Sequence, residues 1–134
     1  MTIIDLITGV KSTLGALVTS ADITGVWFGT APDLATDPYI TLAIPDAPEG
    51  QTMGSSPARW HDVIVTVTIW DNEKSPLGVM TIADKVKTLF HASPPLGSSY
   101  ATCISATQTS YIVMEDGDGG YFVQMDYLFT IEEA

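Results

Sequence analysis

The chain has 134 residues, 46% of them hydrophobic and 16% charged, and 16 acidic side chains against 5 basic ones give a net charge of −11. A domain of this length buries roughly two-thirds of its unfolded surface, which excludes wholesale disorder and removes any need for disulfide or metal staples. The cations Lys11, Arg59, Lys74, Lys85 and Lys87 are scattered, and phosphate affinity comes from clustered cations, so nucleic acid and anionic membrane surfaces are excluded as primary partners.

The first element reads as a helix near Ile3–Val18. Ile3, Ile7, Val10, Leu14 and Leu17 follow steps of four and three and form one apolar stripe. Thr2 is the candidate N-cap, with Asp5 near the positive end of the helix dipole. Gly9 and Gly15 each weaken the helix by about 1 kcal/mol relative to Ala, so packing of the stripe has to hold it.

A turn-rich connection over residues 19–25 leads to a short strand at Val26-Trp27-Phe28, closed by Gly29 and Pro32-Asp33. A second strand is expected from Tyr39 to Ile44, stopped by Pro45. The stretch from Pro45 to Ala58 holds three prolines, two glycines and two serines; a loop of that length within a domain is functional or mobile.

The clearest strand is Asp62 to Trp70. Val63, Val65, Val67 and Ile69 line one face, and Ile64, Thr66, Thr68 and Trp70 the other. β-branched and aromatic residues on both faces predict a central strand. Ser75-Pro76 opens a second helix as N-cap and first helical residue. Its apolar face is Val79, Ile82, Ala83, Val86, Leu89 and Phe90. Two further strands, about Ala101–Val113 and Tyr121–Ile131, flank a Glu115-Asp-Gly-Asp-Gly-Gly120 hairpin turn.

The predicted order is therefore α-β-β-β-α-β-β. It predicts an α+β fold in one domain spanning residues 1–134: an antiparallel sheet of about five strands with both helices packed on one face. The second face is left for solvent or a partner.

Candidate chemistry is sparse. Cys103 is the sole cysteine, so no intrachain disulfide and no Cys-rich zinc site can form. A nucleophile would need a histidine and an orienting group beside it. The histidines are His61 and His91, and Cys103 falls mid-strand, where a small half-buried filler is the ordinary reading. Asp116 and Asp118 resemble the start of a calcium loop, but the twelfth position, which needs a bidentate Glu, is Tyr127. The pairs Asp46/Glu49, Asp71/Glu73 and Asp116/Asp118 fall in turns, where solvated acids are expected. No phosphate-cradling motif occurs, and no catalytic residue, cofactor or metal is assigned. No segment approaches the ~20 apolar residues of a bilayer span. Met1-Thr2-Ile3-Ile4-Asp5 lacks a cationic signal start and reads as a cytoplasmic beginning.

Arg59 and Trp60, which end the long loop, and Met53 at its middle are candidate subunit-interface residues, because Arg and Trp are enriched at binding hot spots. The bland alternative for Trp60 is a strand-edge ring turned into the core. Trp27 and Trp70 read as core or sheet-face residues.

Taken together, the Ile3–Val18 helix, the Val26–Phe28 strand, Pro38-Tyr39-Ile40, the Val63–Trp70 strand with its acidic turn, the Val79–Phe90 helix and the final Tyr121–Ile131 hairpin strand resemble the tail-completion or tail-terminator proteins of long-tailed bacteriophages. The resemblance covers most of the chain and rests on order and pattern. It implies a non-enzymatic virion protein, made in the host cytoplasm and placed at the head–tail junction. There it would form a ring with itself, commonly a hexamer, capping the tail-tube protein and joining it to the head–tail connector protein. Genome DNA would pass through the bore without specific binding, and an acidic wall is compatible with that passage. Two alternatives stand beside it: another head–tail connector or tail-tube protein, and a small-molecule-binding α+β domain.

Overall fold

The computed structural model describes residues 2–31, 37–46, 59–72, 75–92, 101–115, 117 and 119–133. Its elements are α1 (Thr2–Thr19), β1 (Val26–Phe28), β2 (Tyr39–Asp46), β3 (Arg59–Asp71), α2 (Leu77–Ala92), β4 (Ala101–Glu115) and β5 (Tyr121–Glu133). The predicted α+β order holds.

The five strands form one sheet in the order β1-β2-β3-β5-β4. β3 is central, as its two apolar-tolerant faces predict. All pairings are antiparallel except that of β1 with β2, which is parallel. Residues 29–38 carry the chain from the end of β1 back to the start of β2, the longer crossover that a parallel pair needs.

Strand bounds differ from expectation at several ends. β2 passes through Pro45 to Asp46, and its register with β3 shifts between Ala43 and Asp46. Proline within sheets is confined to such irregular places, which explains why it did not end the strand. β3 begins at Arg59 instead of Asp62, because Arg59, Trp60 and His61 find partners in Glu133, Glu132 and Ile131 of an equally extended β5. The final β2 partner on β3 is Ile64, so β3, β5 and β4 project beyond β2 as a three-stranded extension.

Alternation builds the core. Val63, Val65, Val67 and Ile69 of β3, Val123, Met125, Tyr127 and Phe129 of β5, and Ile40 and Leu42 of β2 are buried on one face. Val10, Leu14 and Leu17 of α1 and Val79, Ile82, Ala83, Val86 and Phe90 of α2 cover that face, at the predicted helical spacing. Phe90 meets the rings of Tyr127 and Phe129 edge-on, with centroids 4.8 and 5.4 Å away.

The helix ends follow from local chemistry. Thr2, the candidate cap, is the first helical residue of α1. That helix closes with Asp22 N–H donating to the Leu17 carbonyl at 2.9 Å and Ala21 at φ 62°. At the start of α2, the Ser75 hydroxyl accepts from Leu77 N–H at 3.3 Å, and the Pro76 carbonyl accepts from Met80 N–H at 3.1 Å. Ser75 is thus the N-cap and Pro76 opens the first turn, as the dipeptide predicts.

Candidate functional site

The second face of the sheet has no helix over it among the described residues, and it is not uniform. At the end where β2 begins, four aromatic side chains form a row across the strands. Trp27 meets Tyr39 edge-on at 5.8 Å, Tyr39 stacks on Trp70 at 6.4 Å, and Trp70 tilts against Phe122 at 4.9 Å. Met114, the register partner of Phe122, ends the row on β4. The Trp70 indole N–H donates to Thr41 Oγ1 at 3.1 Å, which fixes the ring in the row. Trp27 lies over Gly25: a Cβ there would sit 2.5 Å from the Trp27 ring, so this approach requires glycine.

Away from the aromatic row the face turns polar. The next register row holds Thr41, Thr68, Gln124 and Ile112, and a later one pairs Thr66 with Asp126 and Ser110. Thr66 Oγ1 donates to Asp126 Oδ1 at 2.6 Å, and Thr109 Oγ1 donates to the Asp126 carbonyl at 3.3 Å. The half-buried acid is therefore already hydrogen-bonded within the sheet.

The two edges differ. β1 offers three residues and β4 fifteen. Large apolar side chains are exposed on both: Phe28 at 51% on β1, and Tyr111 at 38%, Ile112 at 45% and Met114 at 51% on β4. Apolar residues on an edge strand are the ordinary mark of a surface that meets another chain.

Among the described residues nothing comparable assembles for chemistry. Cys103 and His61 lie on strands either side of β5, both opposite Ile131. Two strand spacings, about 10 Å, separate their backbones. His91 is exposed at the end of α2. Among the described residues no three His, Cys, Asp or Glu side chains form a metal-binding group, and no helix is long and apolar enough to cross a membrane. Asp116 and Asp118 lie outside the described residues.

One surface ion pair is well formed. Lys85 Nζ lies 2.6 Å from Asp22 Oδ1, and Ser20 Oγ donates to Asp22 Oδ2 at 2.5 Å. The hydrogen bonds from Lys85 and Ser20 hold the Asp22 carboxyl below its ordinary range. This pair ties the turn after α1 to α2, beside an open groove of about 370 Å³ lined by Leu17, Thr81, Asp84, Lys85, Thr88 and Leu89. In the core, burial pushes the Tyr127 hydroxyl up to about 12; it donates weakly to Gln108 Oε1 at 3.4 Å.

Of the predicted interface residues, Met53 lies outside the described residues. Arg59 and Trp60 open β3 on the projecting extension, opposite Glu133 and Glu132, and their side chains lie outside the description. The aromatic row was not assembled from sequence. Period-two alternation puts Trp70 and Phe122 on non-core faces, but only the β3–β5 register makes them neighbours.

No family model and no curated protein matches the chain. Solved structures do. A chain in the virion of a native gene transfer agent particle superposes with a TM-score of 0.65 at 14% identity, covering 92% of this chain and 90% of that one. The gp17 protein of bacteriophage SPP1 superposes with a TM-score of 0.57 at 12% identity, covering 93% and 87%. At these identities the likeness is one of fold.

Proposed function

We propose that this chain is a structural virion protein of a phage-type particle, a tail terminator that forms a ring capping the tail tube and joining it to the head connector. The observation that carries the reading is the fold shared along almost the whole of both chains with a gene transfer agent virion protein and a bacteriophage protein. Among the described residues the chain supports it from within, with a sheet face that no helix covers and two edge strands that expose apolar side chains; a single domain over residues 1–134 is proposed with it.

The mechanism is geometric. Two helices and five strands make a rigid wedge, and copies of that wedge close a ring, commonly of six. A closed heterologous ring uses each exposed edge once and stops growth. Met53, Arg59 and Trp60 are proposed at the contact between copies, and genome DNA passes through the bore without a specific site. No residue is assigned a catalytic role.

Electron microscopy of particles made without this chain tests the proposal. Tails of uncontrolled length, or finished tails detached from heads, are the expected result. Loss of tail tubes altogether would favour a tube component instead, and normal virions would remove the chain from the tail.

A further inference from the structure

We infer that the ring closes by sheet extension: β4 of one copy, at Tyr111–Val113, pairs antiparallel with β1 of the next copy, at Val26–Phe28. The inference rests on the ring reading and specifies the contact that makes it.

Direction comes first. β1 runs parallel to β2, and three antiparallel steps lead from β2 through β3 and β5 to β4. β4 therefore runs opposite to β1. A second copy turned about an axis along the strands, with no change of face, brings its β1 against the first copy's β4 in the antiparallel sense. That is the slightly more stable pairing.

Level comes next. Following the register across the sheet, Val26 aligns through Ile40, Ile69 and Val123 with Val113. Trp27 aligns through Thr41, Thr68 and Gln124 with Ile112. Phe28 aligns through Leu42, Val67 and Met125 with Tyr111. Rotation without a shift along the axis thus sets Val26 opposite Val113, Trp27 opposite Ile112 and Phe28 opposite Tyr111. Tyr111 and Ile112 are two of the three large apolar side chains that β4 exposes. They also lie beyond both register irregularities of β4, at Cys103/Ser105 and Gln108/Ser110, where the strand is regular enough to accept a partner.

Polarity agrees on both faces. Trp27 and Ile112 meet on the open face, which carries the aromatic row across the junction from Met114. Val–Val and Phe–Tyr meet on the helix-covered face. In a chain of net charge −11, neither Val26–Phe28 nor Ala101–Met114 carries a charge. Neither edge carries the Lys or Pro that commonly blocks pairing; the shortness of β1 and the irregularities of β4 confine the pairing to these three levels.

Cysteine pairing in assembled particles tests this. The full chain carries Phe28→Cys and Tyr111→Cys in a Cys103→Ala background, and particles are oxidised and run on a non-reducing gel. Opposed Cα atoms in an antiparallel pair lie about 4.5–5.5 Å apart, within disulfide span. The double variant is expected to give a ladder of covalent multiples, and each single variant none. Dimers from Tyr111→Cys alone would mean that β4 meets its own counterpart about a two-fold axis, and an adduct with another particle protein would mean a foreign strand. Either overturns the inference. No ladder from particles that still hold several copies of the chain overturns the pairing and leaves the ring standing; normal particles formed without the chain sink both. Ile112→Lys gives a second arm that needs no new cysteine. It is expected to leave the circular dichroism unchanged and cut incorporation severalfold, since it replaces the apolar Trp27–Ile112 contact on the open face with lysine, the residue that guards edge strands against pairing. Undiminished incorporation by the folded variant overturns the inference.

Discussion

Glycine and tyrosine carry two of the sharpest single-residue constraints. Gly120 is buried where β5 begins, and a Cβ there would stand 2.5 Å from the Asp71 carbonyl oxygen and 3.1 Å from Asn72 Cα. Both are backbone atoms, so relief requires the two strand ends to separate. Gly120→Ala is expected to cost about 1–3 kcal/mol by overpacking, read as a lower urea midpoint at unchanged slope. Tyr127 is a titration probe of the core. Its hydroxyl is raised by burial to about 12, above the ordinary tyrosine value of about 10. A raised folded value means that the stabilisation is complete below the unfolded value and is lost as pH climbs from about 10 through 12. That difference corresponds to about 2–3 kcal/mol at most. Urea unfolding between pH 9 and 12 should show this decline, and Tyr127→Phe should flatten the part of it due to this residue.

Among the elements, α2 shows what sequence can and cannot reveal. Its cap at Ser75, its opening proline and its buried stripe were all legible, because capping chemistry and a 3.6-residue period are local. The same holds for the alternation of β3. Phe90 completes that stripe by wedging edge-on between Tyr127 and Phe129, so Phe90→Ala is expected to cost about 3–5 kcal/mol in denaturant unfolding. The parallel β1–β2 pair was not legible. A three-residue strand carries no directional signal, and its parallel partner appears only in the register with β2. Nor was the continuation of β2 through Pro45, since a register break that accommodates proline exists only once β3 lies alongside. The aromatic row failed to appear for the same reason: Trp27, Tyr39, Trp70 and Phe122 come from four strands, and their adjacency is a property of register. Met53, Arg59 and Trp60 rest on residue type in a long loop; among the described residues, exposed large apolar side chains lie on the β1 and β4 edges (Phe28, Tyr111, Ile112, Met114) and also on the helices (Val18, Leu77, Met80).

For the whole molecule, net charge would oppose the proposed edge-to-edge assembly. Copies at −11 repel one another over a distance set by ionic strength, and the screening length falls from about 30 Å at 0.01 M to about 3 Å at 1 M salt. Self-association of the purified chain is therefore expected to strengthen as salt rises over that range, measured as mass by sedimentation. Association held by charge pairs would weaken instead. If six five-stranded sheets join edge to edge, thirty strands at about 4.8 Å give a backbone belt roughly 140 Å around and about 45 Å across.

The three-stranded extension gives such a belt a polarity. Five residues of β3, Arg59 to Val63, lie past the final β2 partner, a reach of about 17 Å. Rotation about an axis along the strands would point every extension the same way, leaving a crenellated rim at one mouth and the hairpin turns at the other. In the proposed ring, two unlike mouths would let one assembly grip two unlike neighbours without confusing them, as a joint between dissimilar machines requires.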